Sequence, residues 1–263
     1  MITIFSHELK QGLKMLLIWS IAVAALIMMC MLIFPDMKSQ SENLDEMFAT
    51  MGGFSDAFGM DTLSISDPLG FYGIEGGAIL GLGGALFAAF LGVRMLSKEE
   101  TEHTAEYLFT HPVGRPCIIT GKLCALFVQI LFFNVICIGC GLASFALINE
   151  SFNADAFWLL HLAQLVMHLE IAAICFGVSA FLKRGSVGFG LGLAALLYFC
   201  NIMANLSEDV EFMRYITPFG YADAVNVIPD TAIDMQAMGV GCLYLLLGVV
   251  VAYVVYSRKD IAA

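Results

Sequence analysis

Charged residues are scarce in this chain: 13% of its 263 positions are Asp, Glu, Lys or Arg, against 60% hydrophobic ones. So little polar surface cannot cover a globule of this size in water, which excludes an ordinary soluble domain. Positive charge is scarcer still. Twelve Lys and Arg against 23 Asp and Glu give a net charge of −11, and that balance excludes the clustered basic footprint of a nucleic-acid binder. Several catalytic signatures are also missing. No G-x-x-x-x-G-K-[ST] string occurs, because Gly121-Lys122 is followed by Leu123, which lacks the hydroxyl, so no phosphate loop of that kind is present. Neither HExxH nor GxSxG is found, which removes the zinc-peptidase and serine-hydrolase patterns.

Long apolar runs fill the space that charge leaves. They lie at residues 15–34, 76–95, 123–148, 157–182, 186–206 and 235–256, each long enough to cross a hydrocarbon core of about 30 Å at 1.5 Å per helical residue. This predicts an all-α polytopic membrane protein with six transmembrane helices, a single transmembrane domain over residues 1–263. The first run exceeds the apolar core of a signal peptide, and Ala22, Ala24 and Ala25 lie inside it rather than after it, so it reads as a retained anchor. Residues 1–14 place Ile4, Phe5 and Leu9 near one face, away from Glu8, Lys10 and Lys14, and are expected to lie as a separate helix at the interface.

The few cations fix an orientation. Lys10, Lys14, Arg94, Lys98, Arg115, Lys122, Lys183, Arg184, Arg258 and Lys259 fall on one side of the six-span alternation, and only Lys38 and Arg214 on the other. Positive charge is retained on the cytoplasmic side, so both termini are expected there. The acids are mostly opposite. All eight cysteines (Cys30, Cys117, Cys124, Cys137, Cys140, Cys175, Cys200, Cys242) map to spans or to the cytoplasmic side, so no structural disulfide is expected. Cys137 and Cys140 form a CxxC beside Gly139 and Gly141 in an apolar helix and read as small packing residues rather than metal ligands.

The second span repeats a small residue every fourth position, Gly73, Gly77, Gly81, Ala85 and Ala89, and a shorter stripe, Gly188 and Gly192, recurs in the fifth. Such stripes let another helix approach at backbone distance. Glu170 is the costliest residue, because an acid at mid-span carries about 2.5–3.5 kcal/mol unless paired, neutral or facing water. It joins His168 and Asn134 as a candidate pathway or intramembrane polar group. His161, Gln164 and His168 share one side of the helix and Glu170 lies about 200° round from His168, so they form no single cluster.

The longest inside loop, residues 96–122, has a local grammar of its own. Ser97 to Glu100 fits a capping box, Glu99, Glu100 and Glu102 fill a first turn, and Pro112 forbids helix beyond about Thr110. Thr101, Ala105, Leu108 and Phe109 then share a face at helical spacing, with Glu99, Glu102, His103 and Glu106 on the others. Outside, Leu44, Met47, Phe48 and Met51 give residues 43–58 a helical pattern along the membrane surface.

This loop, EETEHTAEYLFTHPVGR followed by Lys122, resembles the cytoplasmic loop of ABC-2-type transporter permeases. The external FGMDTLSISDPLGFYGIEG, the six-span layout and the late ITPFGYAD are similar to the same group, so the resemblance runs over nearly the whole chain; His103 departs from it, standing where relatives often have Gly. The resemblance implies an ABC-2 (type V exporter-like) fold with a coupling helix between the second and third spans and a re-entrant outer loop at 207–234. It also implies a permease subunit of a bacterial ABC exporter in the cytoplasmic membrane, paired with a second permease subunit, the same or homologous, and with two ATPase subunits that bind ATP and Mg. This chain itself would bind no cofactor or metal. Glu99, Glu100, Glu102, Glu106, Leu108, Phe109, Pro112 and Arg115 would then face the ATPase. The rival readings are a membrane enzyme, since Glu99, Glu100 and His103 resemble the paired-Glu motif of prenyl-protein proteases, although in a loop and without the expected Arg, and an ATP-independent channel or scaffold.

Overall fold

The computed structural model describes residues 1–39, 52, 53, 55, 60, 62–102, 113–182, 186–206 and 208–259. Among these there is no strand, and six helices are long and apolar enough to cross a bilayer. We label them α1 (Ile2–Lys38), α2 (Pro68–Met95), α4 (Arg115–Ile148), α5 (Ala154–Ser179), α6 (Val187–Leu206) and α9 (Met235–Arg258), with three one-turn helices, α3 (Lys98–Thr101), α7 (Phe219–Ala222) and α8 (Ala224–Val227), between them. The chain is a multi-pass membrane protein.

Local chemistry sets several ends. Asp67 accepts from the Gly70 amide at 2.7 Å with Pro68 in the first turn, Asn153 from Asp155 and Ala156, and Asp234 from Gln236 and Ala237. These side chains satisfy amides that the first helical turn leaves open. Asn149, at φ 55°, ends α4 in the left-handed region that Asn tolerates.

α5 is the buried centre, lying between α2 and α9; α1 runs along α4, and α6 leans on α2. The outer helices turn large apolar side chains outward, among them Ile21 and Met29 on α1, Phe199 on α6 and Leu246 and Val250 on α9. Lipid accepts these at no loss, while the backbone polar groups stay paired inside each helix. Residues near both termini meet at one end of the bundle, where Lys98 pairs with Glu8 and Lys259 with Glu100, while Lys38 pairs with Glu150 at the other.

Several boundaries differ from the sequence reading. Residues 1–14 are not a separate surface helix but continue into the first span, and Pro35, taken as its end, lies inside α1. Proline removes one backbone donor and its ring crowds the carbonyl four residues earlier, and α1 continues only three residues beyond it, to Lys38. α2 starts eight residues early at Pro68, so Glu75 sits within the helix, in a π-helical stretch Tyr72–Gly77. The expected capping box does not form: Ser97 is already αR and its hydroxyl donates back to the Val93 carbonyl, so the chain turns from α2 into α3 without a fresh N-cap. α4 begins at Arg115, which shortens the inside loop. Residues 103–112 and most of 43–58 lie outside the described residues, and with them Glu106, Leu108, Phe109 and Pro112.

Candidate functional site

Polar side chains gather at three levels of the bundle. At the end that carries both termini, α1, α2, α3 and α4 converge on Lys122, which is fully buried. Its Nζ donates to Glu8 Oε1 at 2.8 Å, to the Met95 carbonyl at 2.9 Å and to Glu99. Lys98 pairs with the other oxygen of Glu8. Burial and the neighbouring Lys122 charge push the Lys98 ammonium below its ordinary pKa, opposed by Glu8 and Glu99. The C-terminal helix is tied in alongside. Lys259 Nζ stands 2.9 Å from Glu100 Oε1 and donates to the Leu182 carbonyl at 2.6 Å. Arg115 Nη1 donates to the carbonyls of Tyr256, Ser257 and Lys259 at 3.2, 3.0 and 2.8 Å, placing a cation on the open carbonyls at the end of α9.

Of the loop residues assigned to a partner surface, Glu99, Glu100 and Arg115 are therefore engaged inside the subunit. Glu102 stands outermost, half-exposed, with Arg94 at 3.8 Å. The residues between, including Glu106, Leu108, Phe109 and Pro112, lie outside the described residues, but both flanks of that segment are fixed: Glu99 and Glu100 before it, Arg115 and Lys122 after it.

A second level follows the face of α5 that meets α2. Tyr72 Oη and His161 Nε2 are 3.1 Å apart, Gln164 donates to the Gly77 carbonyl at 2.9 Å, and His168 stands 3.2 Å from both Asn134 Oδ1 and the Gly81 carbonyl. The small residues of α2 receive these side chains. A methyl group on Gly84 would meet the His168 ring at 2.3 Å, and one on Gly81 would meet Gln164 Nε2 at 3.5 Å. Gly73 instead faces Ala224 and Ile228, in and just after α8, and Gly77 lies between Ala224 and Gln164. Close backbone approach occurs at the end of the stripe, where Gly190 of α6 meets Ala89 and Gly92 meets Ala172 of α5, and between α5 and α9, where Gly177 and Gly248 pack against each other's helices at distances no side chain would allow. Gly188 and Gly192, read as a packing stripe, have nothing within 4 Å of where a Cβ would be; they face outward on α6.

The third level is built by the segment after α6. A 3-10 helix, Glu208–Tyr215, leads into α7 and α8, and residues 219–222 are buried among the spans. Tyr221 reaches the middle of α5, where its hydroxyl donates to Glu170 Oε2 at 2.9 Å. Gly241 of α9 leaves room for that carboxyl, since a Cβ there would sit 2.3 Å from it. Glu170 Oε1 has no hydrogen-bond partner among the described residues. On the neighbouring strand of chain, Asp223 Oδ2 accepts from Asn201 at 2.7 Å and Asn205 at 3.2 Å, and Thr217 donates to the Leu197 carbonyl. His168 and Glu170 thus serve different neighbours, α2 and α4 for the first, α7 and α9 for the second.

The sequence reading missed Glu8, Lys98, Lys122, Tyr221 and Asp223 as participants. A lysine at the edge of an apolar run was a usable signal for Lys122, because burial demands an acid for it; nothing in the sequence says that the acid is 114 positions away.

No curated protein matches this chain. A family model described as ABC-2 family transporter protein matches residues 2–261. The six-helix bundle and a match over nearly every residue place this chain in the ABC-2 family of transporter proteins, as a membrane permease component of ABC transporters.

Proposed function

We propose that the chain is the permease subunit of an ATP-driven exporter in the bacterial cytoplasmic membrane, forming the pathway with a second permease subunit, the same or homologous, and driven by two separate ATPase subunits. One observation carries this reading: both flanks of the 103–112 segment are anchored by buried ion pairs to helices that run the depth of the bundle. Glu99 is tied through Lys122 to α4 and α1, and Glu100 through Lys259 to the end of α9. A push on the segment is transmitted to α1, α4 and α9 together rather than absorbed in a soft loop. Positive charge concentrated at this end supports its facing the cytoplasm, where ATP is available. Leu108 and Phe109 supply the apolar docking face, Glu106 and half-exposed Glu102 its charged rim, and Pro112 its corner. ATP and Mg belong to the partner ATPase.

The test is co-purification with an ATPase encoded beside this chain, followed by ATP hydrolysis in liposomes with and without the permease. A stable complex whose hydrolysis rises when the permease is present supports the reading; an ATPase that neither binds the chain nor responds to it refutes it.

A further inference from the structure

Beneath α7 and α8 lies a cavity of about 40 Å³ between α2, α5 and α6, its walls including Gln164, Asn201, Asp223, Met167, Tyr198 and Phe219. That is room for about three or four water-sized groups at roughly 10–15 Å³ each. Its polar wall includes the side chains of Gln164, Asn201 and Asp223 and the hydroxyl of Tyr198. Gln164 and Asn201 are 2% and 3% exposed, their amide nitrogens are already used on the Gly77 carbonyl and on Asp223, and their oxygens Oε1 and Oδ1 have no partner. The third acceptor, Asp223, takes hydrogen bonds only from neutral groups, the amides of Asn201 and Asn205 and the Val225 backbone; no Lys, Arg or His side chain pairs with it among the described residues. Two buried orphan oxygens and a carboxylate without a counter-charge call for a cation that donates hydrogen bonds. Much of the remaining wall is carbon, including Met167 and the faces of the Tyr198 and Phe219 rings, 5.3 Å apart at their centroids, which suits a cation carrying carbon better than a hydrated metal ion.

We propose that this cavity binds a primary ammonium group, whose three N–H donors match Gln164 Oε1, Asn201 Oδ1 and the Asp223 carboxylate. The group belongs either to a soluble small amine or to the headgroup of an aminophospholipid. The proposal stands apart from the coupling to an ATPase, and its failure leaves that reading untouched.

The test is calorimetric titration of methylammonium chloride into the full chain reconstituted in phosphatidylcholine vesicles. Saturable binding is expected, weakened tenfold or more in Asp223→Asn, which removes the charge but keeps an oxygen for the Val225 amide, and weakened also in Gln164→Met, which fills a similar volume without the acceptor. Tetramethylammonium, which has no N–H, and Na⁺ should bind at least tenfold more weakly than methylammonium. Repetition in phosphatidylethanolamine vesicles separates the sources: unchanged affinity identifies a soluble amine, and reduced affinity identifies competition by the lipid headgroup. Absence of saturable binding, equal binding of tetramethylammonium or Na⁺, or unchanged affinity in both variants overturns the proposal.

Discussion

Lys122 Nζ sits 2.8 Å from Glu8 Oε1, joining the first helix of the chain to the third span across 114 positions of sequence. Removing the lysine leaves Glu8 and Glu99 buried, with Lys98 the only cation still paired to Glu8. Lys122→Met should lower stability by about 3–5 kcal/mol, as breaking buried pairs does. The exposed Lys38–Glu150 pair is the contrast, and Lys38→Ala should change stability by less than about 1 kcal/mol. Thermal unfolding in detergent, compared across the two variants, checks the ranking.

The seat of His168 gives a second comparison. Gly84→Ala puts a methyl group 2.3 Å from the imidazole, with no room for it unless the ring leaves Asn134 and Gly81, and should destabilise by about 1–3 kcal/mol. Gly192→Ala meets nothing within 4 Å in the subunit, and its purified monomer should melt as the parent does. A Gly84→Ala protein with unaltered melting would show that the polar file is not a fixed part of the bundle.

Glu170 and Tyr221 hold α7 at mid-bundle. Tyr221→Phe strips the carboxyl of its one observed donor and should cost about 1–3 kcal/mol, whereas Glu170→Gln keeps an acceptor for the hydroxyl and should fold nearly as well. Transport by Glu170→Gln then separates the roles: full transport with unchanged substrate preference assigns Glu170 to structure, and lost transport in a well-folded protein assigns it to the pathway.

If the proposed coupling surface is correct, Leu108→Ala with Phe109→Ala should leave membrane insertion intact but abolish stimulation of the partner ATPase, because the proposed docking face is lost while the ion pairs of Glu99 and Glu100 remain. Stimulation at the parental level in reconstituted vesicles would remove these two residues from the coupling surface.

Orientation is accessible by labelling. In a background with the eight cysteines replaced, Lys38→Cys should react with a membrane-impermeant maleimide in intact cells, and Arg258→Cys only after permeabilisation. The reverse pattern would invert the topology and move the charged end away from ATP.

The six spans were readable along the chain, because a segment in lipid must satisfy its backbone internally and only a long apolar helix does so, whereas the one cap expected, Ser97 with Glu100, does not form and those at Asp67, Asn153 and Asp234 were not foreseen. Hydropathy alone marked residues 76–95 and 235–256. The α2 start was misread because Tyr72, Gly73 and Glu75 are unremarkable in hydropathy and are held helical by what they touch: Phe145, Phe157 and His161 around the Tyr72 ring, and Ala224 and Ile228 against Gly73.

Glu99 and Glu100 show where local pattern fails. As a string they are a solvated first turn before a coupling helix; in three dimensions Lys122 and Lys259 draw them inward. Spacing within one helix assigns a residue to a face, but which neighbour that face meets depends on how the helices are arranged. Hydropathy and the placement of Lys and Arg along the chain were enough for a six-span membrane protein and the charge bias of its ends. Only the tertiary structure decided that Glu8 neutralises Lys122, that the α2 glycines receive Gln164 and His168, and that Asp223 and two orphaned amides share a cavity, because each of these contacts joins residues on different helices whose separation along the chain carries no information about their distance in space.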